Sequence, residues 1–212
     1  MALFKRIFGK RSKEQDEKFE QDIQKIESGE YNKIYPILKP GDWVGIKAGA
    51  LRQTLIGDQE NPDVVIAYGY DTPNNFIFLT YDDAEKRPVE ETLNEAYTNL
   101  SNVPSRFEPV TALDGAILTA SGLDFSSEKI LDAEFMLEAH QILKAEELLV
   151  SIPRRRCMMV TSQAAPDKII NAFFHFHNDA WNDDSYGNAP ITNMIFVVKN
   201  GVIEGVISIE RQ

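Results

Sequence analysis

Three adjacent arginines, Arg154, Arg155 and Arg156, stand in LLVSIPRRRCMMVTS (148–162), directly before the one cysteine of the chain. Their planar guanidinium forks carry donors spaced for a carboxylate, a phosphate or an acidic protein partner. The apolar runs on either side read as the arms of a hairpin, which puts the arginines at its tip, where a cation stays solvated without burial cost. Neighbours on a strand face opposite ways, so the three do not all address one ligand. Two readings follow: solvated turn residues, or contacts to an anion or partner. Cys157 reads as a core position rather than a nucleophile, because a catalytic thiolate needs a positioned base and CMMV supplies none.

The three histidines and the paired acids offer less. His175 and His177 lie on a segment with helical spacing, about 200° apart around its axis, so they do not chelate together. His175 and Asp179 make half a metal site, no further ligand is signalled, and His177 falls on the apolar face as a packed histidine with one nitrogen satisfied. Asp82-Asp83, Glu90-Glu91, Glu146-Glu147 and Asp183-Asp184 read as solvated faces. GxxxxGK[ST], GxGxxG and GxSxG are all missing from the sequence, so no catalytic residues, metal or cofactor are assigned.

The elements that position these residues show in the hydrophobic pattern. From Asp63 onward β-prone runs pair around turn chemistry: DVVIAYGY and NFIFLTY around Asp71–Asn74, FEPVTAL and AILTA around Asp114-Gly115, then 148–162, and finally the two runs around Asn200-Gly201. Pro109 predicts an edge or a bend for its strand. Between the hairpins lie helical patterns over 88–100, over 128–146 with Ser126 or Ser127 as cap, and over 166–181. The order is (ββα) three times and then ββ, which implies an α+β fold of mostly antiparallel sheet with helices laid on it. Upstream, KEQDEKFEQDIQKIESGE predicts a surface helix with a thin seam of Phe19, Ile23 and Ile26. Residues 31–62 read as irregular, with QTLIGDQENPD as connecting loop. The expected organisation is a basic tail and surface helix over 1–30 and a single domain over 31–212.

At 212 residues and a net charge of −11 the chain is an acidic globular protein. The acidity repels phosphate backbones, and no basic stripe with interleaved aromatics opposes it, so nucleic acid is not an expected partner. One cysteine, no apolar run near the ~20 residues of a membrane span and no signal-peptide pattern point to the cytoplasm. Residues 1–13 are the basic exception. There Leu3, Phe4, Ile7 and Phe8 form a narrow apolar stripe flanked by Lys5 and Arg6, a pattern suited to weak contact with an anionic membrane surface or to a tail that docks on the domain.

The segments ETLNEAYTNL, LDGAILTASGLDFSSEKIL, LLVSIPRRRCMMV and APITNMIFVVKNGVIE, in this order and spacing, resemble the YtpQ-like family of uncharacterised bacterial proteins, a domain of unknown function. The resemblance spans about Ile34 to Ile209, most clearly from Val64, and leaves residues 1–30 outside. It implies a bacterial cytoplasmic protein and no established chemistry. This chain has Ser126 where the family often carries an acid, and Arg156 where an Asp is common after the hairpin proline, so an activity resting on those acids is not expected here. The function expected from the sequence is non-catalytic binding of another protein. The alternatives are a small anionic-ligand binder or an enzyme with dispersed residues, in which Arg154 and Arg155 hold the ligand, and a peripheral membrane adaptor acting through the basic N-terminus.

Overall fold

Among the described residues, ten strands and six α-helices make an α+β protein in which every strand pair is antiparallel. The computed structural model describes residues 13–84, 87–185 and 187–209. The chain forms two compact units, Met1–Leu100 and Ser101–Gln212, so the boundary falls inside the stretch read above as one domain. Two separate sheets underlie the division, one in each unit.

The first unit contains α1 (Lys13–Glu27), β1 (Ile34–Pro40), α2 (Val44–Lys47), β2 (Arg52–Gly57), β3 (Pro62–Asp71), β4 (Phe76–Phe78), α3 (Tyr81–Ala84) and α4 (Val89–Ser101). β3 is central, with β1 on one side and β2 and β4 on the other. Its residues Val64 to Gly69 are all buried, as expected of a strand covered on both faces. α1 lies on one face, where Phe19 joins Ile37, Ala67, Ile77 and Phe78 in a core that Ile23 and Ile26 border. Its buried Asp22 accepts hydrogen bonds from Thr72 Oγ1 (2.9 Å) and Asn75 Nδ2 (2.8 Å) in the β3–β4 turn. The predicted surface helix is thus pinned to the first hairpin by one carboxylate as well as by its apolar seam. α4 takes the other face, where Tyr97 meets the buried Tyr68 edge-on at 6.3 Å and both hydroxyls reach Gln53.

β1 and β2 correct the expectation of irregular chain over 31–62. Pro36 and Pro40 are tolerated because β1 is an edge strand, and QTLIG pairs with β3 although its turn-rich continuation masks the strand.

The second unit holds β5 (Glu108–Pro109), β6 (Ile117–Thr119), α5 (Ala133–Leu143), β7 (Glu147–Ser151), β8 (Met159–Ser162), α6 (Asp167–Asn182), β9 (Met194–Lys199) and β10 (Val202–Ser208). Its sheet runs β10-β9-β7-β8-β6-β5, with Pro109 on an edge strand as its chemistry demands. Phe173 of α6 packs with Ile117, Leu149, Met159 and Ile195 on one face. Alternation along β7 sends Leu148 and Val150 to the other face, where both are fully buried. α5 packs on β8 through residues outside that cluster, and the β9–β10 turn lies against it. At that turn Asn200 and Gly201 take φ of 50° and 77°, as a two-residue hairpin of matching twist requires. A Cβ on Gly201 would stand 2.6 Å from the Ala133 carbonyl oxygen, so the turn also depends on the missing side chain.

α5 starts later than the serines suggest. Ser126 Oγ bonds the Leu123 carbonyl, Ser127 Oγ bonds Glu128, and neither caps a helix. A 3-10 turn over Glu128–Leu131 intervenes, and Asp132 caps α5 by accepting from the Phe135 amide at 3.3 Å.

Candidate functional site

The β7–β8 connection, residues 152–158, emerges at the end of the second sheet where β6 and β7 finish and β8 and β9 begin. Ile152 and Pro153 are buried, and the three arginines after them have three different fates.

Arg154 is no solvated tip. Its Nε donates to the carbonyls of Ala180 (3.0 Å) and Trp181 (3.1 Å), Nη2 to Trp181 (2.8 Å) and Nη1 to Asn188 (2.9 Å). The last carbonyls of a helix have no partners within it and carry partial negative charge, so a guanidinium there satisfies both needs. The fork is committed to α6 and the segment after it, and it anchors the loop rather than offering itself to a ligand. No local pattern signals this, because the acceptors are backbone atoms 26 to 34 residues away.

Arg155 and Arg156 point elsewhere. The Arg155 amide donates to the Ala189 carbonyl at 2.9 Å, while its side-chain Nε is buried with no hydrogen-bond partner. Arg156 has a left-handed backbone, φ 63°, its amide donating to Ser127 Oγ (3.0 Å) and its carbonyl accepting from Gly122 (2.8 Å). Its Nε lies 3.4 Å from Asp124 Oδ1, near enough for an ion pair but not aligned for a hydrogen bond. On the other side of α5 and β7 in sequence, Phe125 also has a left-handed backbone, φ 61°. A bulky non-glycine residue in that region costs about 1–3 kcal/mol, and two of them at one end of a sheet mark a place where the fold holds strain.

Behind this surface sit buried charges that no periodicity revealed. Glu128 is fully buried, and Lys129, 3% exposed, pairs with Asp132 at 2.8 Å and lies over the Phe135 ring. The second unit also carries a depression of about 420 Å³ whose wall includes Ser105, Arg106, Ser121, Leu123 and Ser126. Leu123 is an exposed apolar side chain, and Arg106 is engaged by Glu108 at 2.7 Å.

The nucleophilic candidates do not assemble. Cys157 is half-buried beside the Ser121 side chain, and burial pushes its thiol pKa up, away from thiolate chemistry. A serine–histidine–asparagine chain, which the sequence reading missed, lies inside the unit: Ser151 Oγ is 2.8 Å from His177 Nδ1, and His177 Nε2 is 3.0 Å from Asn193 Oδ1. Asn193 accepts from Nε2–H, so Nδ1 accepts the serine proton. Both Ser151 and His177 are fully buried, no substrate reaches them, and burial lowers the His177 pKa so that the ring stays neutral. The chain ties α6 to β7 and to the residue before β9, with both ring nitrogens satisfied rather than one.

His140 also has both nitrogens occupied, by the Ala145 carbonyl and the Gly201 amide. His175 stands 3.4 Å from Asp179 on the exposed side of α6. Among the described residues no three His, Cys, Asp or Glu side chains gather in a metal-binding group, and no helix is long and apolar enough to cross a membrane. Leu3, Phe4, Lys5, Arg6, Ile7 and Phe8, the membrane-contact candidates, lie outside the described residues.

No family model matches the chain, and no match is found among curated proteins or solved structures.

Proposed function

We propose that this chain acts by binding another protein, without catalysis, in the bacterial cytoplasm, and that the 152–158 end of the second unit is its contact surface. One observation carries the reading: Arg155 and Arg156 sit side by side on a loop stapled by Arg154, one with left-handed backbone, and the buried Nε of each lacks a hydrogen bond. Strain and unsatisfied donors both cost stability. A carboxylate-bearing partner gives the accessible part of the Arg156 guanidinium a better-aligned acceptor than Asp124, which the chain itself places 3.4 Å from its Nε. The closed Ser151–His177 pair and the raised Cys157 pKa favour binding over turnover.

The test is quantitative mass spectrometry of proteins crosslinked to the natively expressed chain, beside an Arg155→Ser/Arg156→Ser variant that keeps Arg154. A partner enriched by the natural chain and lost in the variant supports the reading. Equal recovery from both removes this surface from the function, and no specific partner from either removes the binding role.

A second reading, a small anionic ligand in place of a protein, rests on the 420 Å³ depression with its serine hydroxyls, a volume ordinary for small-molecule sites. A ligand at 100 times its dissociation constant stabilises by about 2.7 kcal/mol, so a thermal-shift screen of carboxylates and phosphates separates the two.

A further inference from the structure

Three features of the candidate surface belong together. Arg156 is held to chain neighbours of the depression's wall: Gly122, between the wall residues Ser121 and Leu123, donates to its carbonyl, Ser127, next to the wall residue Ser126, accepts its amide, and Asp124, whose carboxylate lies 3.4 Å from its Nε, directly follows Leu123. The Arg156–Asp124 contact is misaligned, and the two side chains are 42% and 66% exposed, so a better-placed carboxylate displaces Asp124 at little cost. Leu123, 55% exposed, gives the depression an apolar side one residue before the carboxylate that Arg156 meets.

Resting on the binding reading above, we infer that the partner presents a short extended segment with one bulky apolar residue and an Asp or Glu close to it. The apolar side chain enters the depression against Leu123, and the carboxylate takes the place of Asp124 on Arg156. Charge complementarity chooses this occupant. The guanidinium fork suits a carboxylate, whereas the net charge of −11 and the nearby Asp124 and Glu108 oppose the denser charge of a phosphate more strongly. Asp124 then acts as an internal stand-in that guards the cation until the partner arrives.

The probe is an array of synthetic ten-residue peptides, each with one Leu or Phe and with Asp or Glu at every spacing from it. Matched sets replace the acids with Asn and Gln, or carry phosphoserine. The full chain is applied to the array, and hits are measured by fluorescence anisotropy. Acidic peptides bind about tenfold or more tightly than their amide counterparts, and Arg156→Gln and Leu123→Ser each weaken binding by about tenfold. Asp124→Asn removes the internal competitor and tightens binding about two- to fivefold, a gain that misfolding does not produce. Equal binding of acidic and amide peptides, preference for phosphoserine, or weaker binding by Asp124→Asn each overturns the inference. A blank array beside an Arg155- and Arg156-dependent partner in the crosslinking experiment sinks this inference and leaves the binding role standing. A blank array with no crosslinked partner removes both.

Discussion

Replacing Arg154 by Met tests whether the first arginine of the triplet is a structural clamp. The guanidinium makes four contacts of 2.8 to 3.1 Å to the carbonyls of Ala180, Trp181 and Asn188. A hydrogen bond to a charged group is worth about 1.5–3 kcal/mol, but the contacts share one side chain and do not add, and the freed carbonyls near a helix end regain water. A loss of about 2–4 kcal/mol is expected, with Arg154→Lys between the two because it keeps the charge and loses the fork. Trp181 reports on this place directly. In a Trp43→Phe background it is the only tryptophan, so its fluorescence in a urea titration follows the second unit without a signal from the first. The midpoint falls and the slope holds if stability alone has changed. Arg155→Met and Arg156→Met are the controls, expected within about 1 kcal/mol of the natural chain, since neither side chain has an aligned hydrogen bond at its Nε. If Arg154→Met is as mild as these two, the capping argument is wrong and the loop is held by its backbone bonds alone.

Gly201→Ala meets both a left-handed backbone and a carbonyl 2.6 Å from the new methyl, and costs about 2 kcal/mol or more; Gly122→Ala, with φ 85° and open space around it, costs about 1–2 kcal/mol, and thermal melts that rank them the other way refute the steric account. His177 has its pKa lowered by burial, so the unfolded chain takes up its proton first as pH falls. Its contribution is therefore whole above about pH 6.5, the ordinary histidine value, and declines as pH drops from there through the lowered folded pKa, a slope that His177→Gln abolishes in pH-dependent urea titrations. The Cys157 thiol, raised by burial, reacts with iodoacetamide at pH 8 at least about tenfold more slowly than free cysteine until urea unfolds the second unit; fast labelling of the native protein contradicts the assignment.

Local chemistry told where it decides structure. Asn200-Gly201 dictates its hairpin, Pro109 its edge, and the apolar spacing of 167–182 its helix. β1 and β2 stayed hidden because prolines and polar turn residues dominate their composition, and only β3 lying between them makes them strands. Asp132 rather than Ser126 or Ser127 caps α5 because both hydroxyls are drawn into the strained turn beside Arg156, a competition between distant segments that no window of sequence contains. The same holds for Ser151 and Asn193, which meet His177 only once α6 lies on the sheet.

The fates of the triplet bear on how its function can be tested at all. Arg154, Arg155 and Arg156 are chemically identical and consecutive, yet the first spends its guanidinium on a helix terminus, the second bonds Ala189 through its amide, and the third bonds Gly122 and Ser127 through its backbone. Replacing all three at once removes the clamp together with the two half-buried cations after it, so lost binding would follow from a loosened loop as readily as from a lost contact. Keeping Arg154 while changing the other two holds the frame constant. Changing Arg154 alone loosens the frame and leaves both cations. If binding rests on guanidinium contact, the double variant loses it with unchanged melting behaviour. If binding rests on loop shape, Arg154→Met loses it at temperatures where the second unit is still folded, and the opposite pattern in these two variants assigns the surface the other way.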